Sequence, residues 1–315
     1  MFLYENRNSK SGITSTITAY FKKIDVDIFN ELIISFFGVA LTDDQKEWFS
    51  SDGKELRGSI LKGNTRGEAI VQLVGHKNRI VYKQGFYNGK KESERPCVLK
   101  LLDEEFGSKK ITLDALHLIP KTVKQIEKQT GVFLIGIKEN QAELLEEMRL
   151  IASKDKPLHE HSDSEKSNGR IDTRTYTAFE VKNAYFDKRW KGANFQTLIK
   201  VERQSYNCKS RNLSNETAYY ITNQAVKKGL SDNELFDAVR AHWNVETNNY
   251  IRDVTFKEDN LKTKYPEIAR NMATCRTGIL NLVYQLKPKN IRAKIEEFAD
   301  NFQLLFEWLT KCNFL

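Results

Sequence analysis

Apolar and polar positions follow two different periods along this 315-residue chain. Residues 14–41 carry apolar side chains three and four positions apart, with a break near Asp25, which predicts two helices. Residues 68–87 change to a period of two, which predicts a pair of strands. Up to residue 152 the two patterns then alternate, and we predict helices over 92–106, 122–129 and 142–151 and strands over 111–113 and 132–137. This alternation predicts an α/β fold with a mixed sheet.

The second half of the chain begins with a charged stretch and ends in helical patterns. Residues 153–172 lack periodicity, so we predict a loop there. Short strand patterns follow over 173–181, 197–202 and 218–222, and together they predict a β-rich insertion. Helical spacing returns over residues 231–246, again from Pro266 to Val283, and last from Ile291 to Leu309.

One acid stands directly after the first apolar run that reads as a strand. Asp52 follows the apolar residues at 48–49 and precedes Gly53, which predicts an acid at a strand tip followed by a turn. Lys54 and Arg57 come next and are candidates for contact with a polyanion. Strand-terminal acids are common, so this stretch gains meaning only from partners elsewhere in the chain.

Two further acids stand where they could complete a metal site with Asp52. Asp114 directly follows the predicted strand at 111–113, and Glu246 lies in a predicted helix with an otherwise aromatic face. Divalent cations such as Mg²⁺ prefer oxygen ligands held by rigid elements, and three carboxylates are enough. We therefore hypothesise one three-carboxylate metal site made of Asp52, Asp114 and Glu246. The alternative is that all three are surface acids among the 42 in the chain.

Composition narrows the class of partner without identifying it. Lys and Arg number 50 against 42 Asp and Glu, and this excess favours an anionic partner such as nucleic acid or an anionic membrane surface. No apolar run approaches the ~18 residues that a bilayer span needs, and the N-terminus lacks a signal-peptide pattern. The four cysteines are scattered, which favours a reducing compartment. We expect a soluble, cytoplasmic protein.

Two other stretches carry candidate chemistry, each with an ordinary alternative. His159, Glu160 and His161 with Asp163 have the composition of a metal site, but incidental spacing is favoured. Residues 163–211 interleave basic and aromatic side chains. Such a surface suits phosphate contacts with base stacking, and it equally suits a solvated insertion with ordinary core aromatics.

Six motifs follow one another in order along the chain. They are Asp52-Gly53-Lys54-x-Leu56-Arg57-Gly58-Ser59, Thr112-x-Asp114-Ala115, Lys138-x-Asn140-Gln141, Gly169-Arg170-Ile171-Asp172-Thr173-Arg174, Arg240-x-His242-Trp243-x-x-Glu246 and Asp253-Val254-Thr255-Phe256-Lys257-Glu258-Asp259. The ordered set closely resembles DDE transposases of bacterial insertion sequences, in the H-repeat-associated branch (IS4-like superfamily), and the resemblance runs over residues 12–284. No single motif is specific, whereas the ordered set is.

The resemblance implies a fold and a division of the chain. The fold would be an RNase H-like mixed sheet flanked by helices, with a β-rich insertion before the last acid and a helical C-terminus. We expect a helical remnant of an N-terminal domain over 1–45, the catalytic core over 46–152 and 226–285, the insertion over 153–225 and a C-terminal helix over 286–315.

The resemblance also implies a reaction and its cofactor. Asp52 and Asp114 would bind metal from neighbouring strands, and Glu246 would complete the site from a helix. Two Mg²⁺ ions are expected, for which Mn²⁺ can substitute. The reaction would be cleavage of double-stranded DNA at terminal inverted repeats, followed by transfer of the freed 3′ end into target DNA, with a homodimer on the paired ends and no membrane involved.

Further residues take roles by the same resemblance. Contacts to DNA are expected from Lys54, Arg57, Lys138, Arg170, Arg174 and Arg240. Supporting roles are expected for Asn140, His242, Trp243 and Asp253, with His242 and Trp243 packing and orienting the helix of Glu246 rather than acting as a base.

The chain also departs from the family pattern. Asn168 stands where the family usually has His, and Thr247 stands where it usually has Asn. The family also carries a further N-terminal segment, so we expect an N-terminally truncated chain. The alternative function is therefore a DNA-binding remnant without catalysis.

Overall fold

The computed structural model of the chain describes residues 12–37, 47–103, 106–181, 185–226 and 233–311. Over these residues the strands form one mixed sheet in the order β3-β2-β1-β4-β5-β9-β8-β7-β6. β4 runs parallel to both of its neighbours, β1 and β5. β5 pairs antiparallel with β9, and the strands from β9 through β8 and β7 to β6 also pair antiparallel with one another. The strands are β1 (Trp48–Glu55), β2 (Glu68–Gly75), β3 (Val81–Asn88), β4 (Lys110–Leu113), β5 (Val132–Ile137), β6 (His159–Ser167), β7 (Arg170–Glu180), β8 (Thr197–Asn207) and β9 (Leu213–Thr222).

Helices flank the sheet, and α4 and α8 begin with a proline in the first turn, where the missing N–H costs nothing. None of the helices in the described part of the chain combines the length and hydropathy that crossing a lipid bilayer requires. The helices are α1 (Gly12–Lys23), α2 (Val26–Phe37), α3 (Glu94–Leu101), α4 (Pro120–Lys128), α5 (Ala142–Lys154), α6 (Glu234–Ala241), α7 (Trp243–Val254), α8 (Pro266–Gln285), α9 (Ile291–Asp300) and α10 (Phe302–Lys311).

The chain divides into two units. The first holds described residues 12–37, 52–101 and 244–311, and β2 is buried along its whole length there. Helices α2 and α8 pack closely in this unit, because Gly278 leaves room for Ile33 and Phe37. A Cβ at Gly278 would lie 2.9 Å from the Ile33 side chain, closer than van der Waals contact allows.

The second unit holds described residues between 47 and 51 and between 102 and 243. Its core forms where α6 lies on the sheet, with Leu235, Phe236 and Val239 packed against Trp48 and Leu134. The three α6 residues recur at helical spacing, so one face of the helix supplies the whole contact.

The fold class predicted from the sequence is confirmed: the protein is α/β, with a mixed sheet flanked by helices. Strands β6 to β9 lie between Asp114 and Glu246 in the sequence, and helices α8 to α10 follow. The division of the chain into five segments stays a prediction. Parts of three predicted helices, at residues 38–41, 104–105 and 231–232, lie outside the described residues.

Three local predictions were wrong. The charged stretch 153–172 is not a loop, because it contains β6 and the start of β7, paired in full register from His159 to Ser167. Its side chains are polar on both faces, and only those of His159, His161 and Asp163 are half-buried, so the backbone pairs without the apolar alternation that marks a half-buried strand. The helical pattern of 231–246 breaks between α6 and α7, and the last helix is two helices separated at Asn301.

Candidate active site

The register of β1 against β4 fixes where Asp52 and Asp114 stand. The two strands run parallel, and the last pair in register is Ser51 with Leu113. Asp52 directly follows Ser51 in the sequence, and Asp114 directly follows Leu113. Asp52 is not at a strand tip, however, since β1 continues to Glu55.

Gly53 does not make the predicted turn after Asp52, since it lies within β1. The carboxylate of Glu94 occupies the space that a side chain at position 53 would take, 2.3 Å from an added Cβ. That carboxylate is the far end of a flexible side chain, so a larger residue at position 53 would displace it at little cost.

The turn that follows β4 is held by side chains of the loop after β5. Asp114 caps the short 3₁₀ turn Ala115–His117 and accepts a hydrogen bond from the backbone N–H of Leu116. Asn140 Nδ2 donates to the carbonyl oxygen of Ala115 at 2.8 Å. The Lys138 ammonium lies 4.0 Å from the Asp114 carboxylate. Two residues of one predicted motif thus contact the segment that carries the second acid.

Asp52 is hydrogen bonded by a residue that the sequence did not single out. Asn249 Nδ2 donates to Asp52 Oδ2 at 3.1 Å. Asn249 lies three positions after Glu246 on α7, so the two residues share one helix face. Glu246 is exposed.

Helix α6, which precedes the helix of Glu246, is anchored at both ends. At its start Glu234 accepts hydrogen bonds from Trp48 Nε1, at 2.7 Å, and from the Lys110 ammonium. Burial alone would raise the pKa of Glu234, but these donors lower it overall. Just past its end, His242 Nδ1 lies 2.9 Å from Thr112 Oγ1.

The environment of His242 keeps the imidazole uncharged at neutral pH. Burial lowers the pKa of His242 to about 4, although the charge of Asp114 opposes the shift. Trp243 is 58% exposed, so it is not the packing residue that the sequence predicted. The aromatic side chain next to His242 suggested a core position in the sequence, because single-sequence patterns do not show which way a side chain faces.

Lys54 is buried among carboxylates rather than presented to solvent. Its ammonium lies 2.7 Å from Asp253, 3.4 Å from Asp259 and 3.8 Å from Glu258, with only 7% of the side chain exposed. The first and last of the six motifs therefore meet through this lysine. Lys54, predicted to contact DNA, is thus directed to carboxylates of its own chain.

Behind this cluster lies a fully buried arginine that the sequence reasoning missed. Arg252 forms a bidentate pair with Glu258, with both N–O distances at 2.8 Å, and also donates to Thr277 Oγ1 and the carbonyl of Ala273. Burial would raise the pKa of Glu258, but the charge of Arg252 lowers it overall. Val245 and Arg252 are seven positions apart on α7 and lie on the same buried face. This spacing is the sequence signal that could have predicted the burial of Arg252.

Nearby, the backbone of Gly58 passes close to the loop before α8. A Cβ at residue 58 would lie 2.1 Å from the carbonyl oxygen of Leu261, and the Gly58 carbonyl accepts from Thr263 N at 3.1 Å. The second glycine of the first motif is thus required by backbone packing.

The remaining basic residues expected to contact DNA each face an acid. Arg57 is mostly exposed, at 74% of its side chain, and its guanidinium lies 3.9 Å from Asp259. On β7, Arg170 lies 4.0 Å and Arg174 3.5 Å from Asp172. The guanidinium of Arg240 pairs with Glu165. The exposed pairs of Arg57 and Arg240 contribute little stability, whereas only 18% of the Arg174 side chain is exposed. Contact of these arginines with DNA stays a prediction.

The histidines of the 159–163 stretch pack against aromatic rings. The His159 ring stacks on Phe236 at 5.4 Å between centroids and 8° between planes, and the His161 ring lies 6.5 Å from both Phe236 and Tyr176. Across the described ranges, no group of three or more His, Cys, Asp or Glu side chains is placed to hold a metal ion. This holds for the histidine stretch and for the three proposed acids alike.

Three proteins of Escherichia coli are similar to this chain over most of its length. It is 27% identical to "Putative protein YbfL" (strain K12) over 293 residues, which is 90% of this chain and 76% of that protein. It is 26% identical to "H repeat-associated putative transposase YhhI" (strain K12) with the same coverage. It is 25% identical to "Putative transposase YncI" (strain O157:H7), covering 96% of this chain and 78% of that one.

These relatives confirm the resemblance seen in the motifs: the chain is a homologue of H repeat-associated putative transposases. No family model matches it. Among solved structures, the piggyBac transposase synaptic complex with hairpin DNA covers 79% of this chain and 51% of its own, with 11% identity and a TM-score of 0.41. A TM-score this low carries no assignment of fold or function.

Proposed function

We propose that the protein is a DDE transposase that cleaves double-stranded DNA and transfers the cut strand in a Mg²⁺-dependent reaction. Asp52, Asp114 and Glu246 would be its catalytic acids, within an RNase H-like core. The proposal is supported first by the register of β1 and β4, in which Asp52 and Asp114 directly follow the paired residues Ser51 and Leu113. Two acids that directly follow one registered pair of neighbouring parallel strands would be in positions to serve the same site.

The position of the third acid is supported by α7. Asn249 donates to Asp52 at 3.1 Å, and Glu246 precedes it by three residues on the same helix face. The helix that carries Glu246 is thereby tied to the strand that carries Asp52.

The side chains of the three acids are chemically suited to bind Mg²⁺. All three side chains supply carboxylate oxygens, which Mg²⁺ prefers and which Mn²⁺ also accepts. Asp52, Asp114 and Glu246 would hold the ions, and bound Mg²⁺ would neutralise the charge that develops on the phosphodiester. Three carboxylates repel one another unless a cation lies among them, so we expect the acids to depend on the ion for a close arrangement.

The other residues of the chain would bind and orient the DNA. Lys138, next to Asp114, and the exposed Arg57 are the basic side chains proposed to meet phosphates closest to the acids. Arg170 and Arg174 on the insertion, and Arg240 on α6, would exchange their acidic partners for phosphates. Terminal inverted repeats and target DNA are the proposed substrates, a homodimer on paired ends the proposed assembly, and the bacterial cytoplasm the proposed location.

A nicking assay tests the proposal. Purified protein is incubated with a supercoiled plasmid that carries the DNA flanking the gene, in Mg²⁺, Mn²⁺ or EDTA. We expect metal-dependent nicking by the native chain, and none by the Asp52→Asn variant, which should still bind the plasmid. Cleavage that persists in the variant would overturn the proposal.

A second function is DNA binding without catalysis. The exposed guanidinium groups of Arg57 and Arg240 could meet phosphates without any part played by the three acids. Such a protein would bind DNA with an affinity that falls steeply with salt, and it would nick no DNA in Mg²⁺ or Mn²⁺. Nicking by the native chain excludes it.

A further inference from the structure

Strand β1 and helix α7 are joined by two side-chain contacts within the first unit. The first is the hydrogen bond from Asn249 Nδ2 to Asp52 Oδ2, at 3.1 Å. The second is the ion pair between Lys54 and Asp253, at 2.7 Å. We call these two contacts the ladder.

The spacing of strand and helix allows both contacts to form at once. Asp52 and Lys54 are two positions apart on β1, so their side chains share a face and lie about 6.7 Å apart along the strand. Asn249 and Asp253 are four positions apart on α7, so they also share a face, with a rise of about 6 Å. Because the two spacings nearly match, the ladder fixes the register of the helix along the strand.

The helix is also held by a buried arginine next to the ladder. Arg252, beside Asp253 in the sequence, is fully buried and pairs with Glu258 through two N–O contacts of 2.8 Å. Its remaining donors reach Thr277 and the backbone of Ala273, both on α8. Arg252 therefore anchors α7 to the interior, and the ladder anchors it to β1.

Asn249 suits its place in the ladder because its amide is a neutral donor. An amide N–H holds one carboxylate oxygen in a defined direction without neutralising the negative charge of the group. A lysine at this position would compete with a cation for Asp52, and an apolar residue would remove this hydrogen bond from the carboxylate. The Lys54 charge lies instead with Asp253, at the second contact.

We propose that Asn249 is a positioning residue: it fixes the orientation of the Asp52 carboxylate and, through the ladder, the placement of the helix that carries Glu246. This inference rests on the proposed function, since it assigns Asn249 a part in binding the divalent ion. Residues that orient metal ligands in this way typically change metal affinity by about 10–100-fold when they are removed.

The same helix offers a matched control. Asn244 Nδ2 also donates one hydrogen bond, to the carbonyl oxygen of His76 at 2.7 Å, and so contributes to the same unit without touching an acid. Asn249→Ala and Asn244→Ala delete the same group at two positions of one helix. A purely structural role for Asn249 predicts that the two variants behave alike.

The test measures Mn²⁺ affinity of the full chain without DNA, by calorimetry, together with urea unfolding in EDTA. We expect Asn249→Ala to weaken Mn²⁺ binding at least 10-fold, and Asn244→Ala to change it less than 2-fold at a similar urea midpoint. In an Asp52→Asn background, Asn249→Ala should have no further effect on Mn²⁺ binding. Equal Mn²⁺ affinity in the two alanine variants would overturn the inference while leaving the three acids in place. An unchanged affinity in Asp52→Asn alone would overturn the proposed metal site and this inference with it.

Discussion

The Lys54 ammonium lies 2.7 Å from the Asp253 carboxylate, which places a basic residue of the first motif on an acid of the last. The two motifs are about 200 positions apart in the sequence, and together they build one cluster of carboxylates around the buried Lys54 ammonium. Lys54 therefore holds the protein together in this region rather than reaching DNA. Of the two basic residues in the first motif, Lys54 is therefore the buried one and Arg57, three positions later, the exposed one.

Replacing these two residues should separate stability from DNA binding. We expect Lys54→Met to lower the free energy of unfolding by about 3 kcal/mol, the low end for breaking a buried pair, because Asp253 is 43% exposed. Arg57→Ala should leave stability unchanged and reduce the salt slope of DNA binding by about one, since one phosphate contact is lost. Urea unfolding and binding titrations at several salt concentrations measure both. A reduced salt slope in Lys54→Met with an unchanged urea midpoint would contradict this assignment.

The buried Glu258 should make the protein sensitive to acid. The pKa of Glu258 is lowered in the folded state, since the charge of Arg252 outweighs the opposing effect of burial. Its contribution is therefore present above the unfolded pKa of about 4.3 and is lost as pH falls below that value. We expect Glu258→Gln to cost about 3–5 kcal/mol at pH 7, because it leaves the Arg252 charge unpaired.

Urea unfolding of both proteins at pH 7 and pH 3.5 checks this expectation. The difference between native chain and variant should shrink at the lower pH. Glu296→Gln is the control, because Glu296 forms an exposed pair with Arg292 on α9. A Glu258→Gln variant as stable as the control variant at pH 7 would refute the role given to the buried pair.

His242 should contribute a second pH dependence, at higher pH. Burial lowers the pKa of His242 to about 4, below its unfolded value of about 6.5. Its contribution to stability is thus fully present above pH 6.5 and falls as pH drops toward 4, by about 1.4 kcal/mol for each pH unit. His242→Gln should remove this slope, so the stability curves of variant and native chain should converge between pH 6.5 and 4. Parallel curves over that range would show that His242 does not titrate as described.

Much of the fold could be predicted from the sequence because its signals are local. The alternation of strand and helix up to residue 152 depends on apolar periodicity, and β5 was predicted at its observed bounds, Val132–Ile137. Strand β6 was missed for the opposite reason: its side chains are polar on both faces, and only backbone pairing with β7 makes it a strand.

In the candidate site, too, the residues with a local sequence signal were predicted and the contacts between separate elements were not. Asp52 and Asp114 were found because each follows an apolar run, which is visible in the sequence. The burial of Lys54, the pairing of Arg252 with Glu258 and the contact of Asn249 with Asp52 all join residues from separate elements. Single-sequence patterns do not report such contacts, because a basic residue has the same appearance whether it meets a carboxylate or a phosphate.

The central claim is that Asp52, Asp114 and Glu246 act together in metal-dependent DNA cleavage. The most direct measurement compares single-turnover nicking rates in Mg²⁺ for the native chain and for Asp52→Asn, Asp114→Asn and Glu246→Gln, with Glu296→Gln as a control and DNA binding measured in parallel. We predict that each of the three variants loses at least about 1,000-fold in rate while it still binds DNA, and that the control nicks at the native rate. Nicking at the native rate by any one of the three variants would contradict the account.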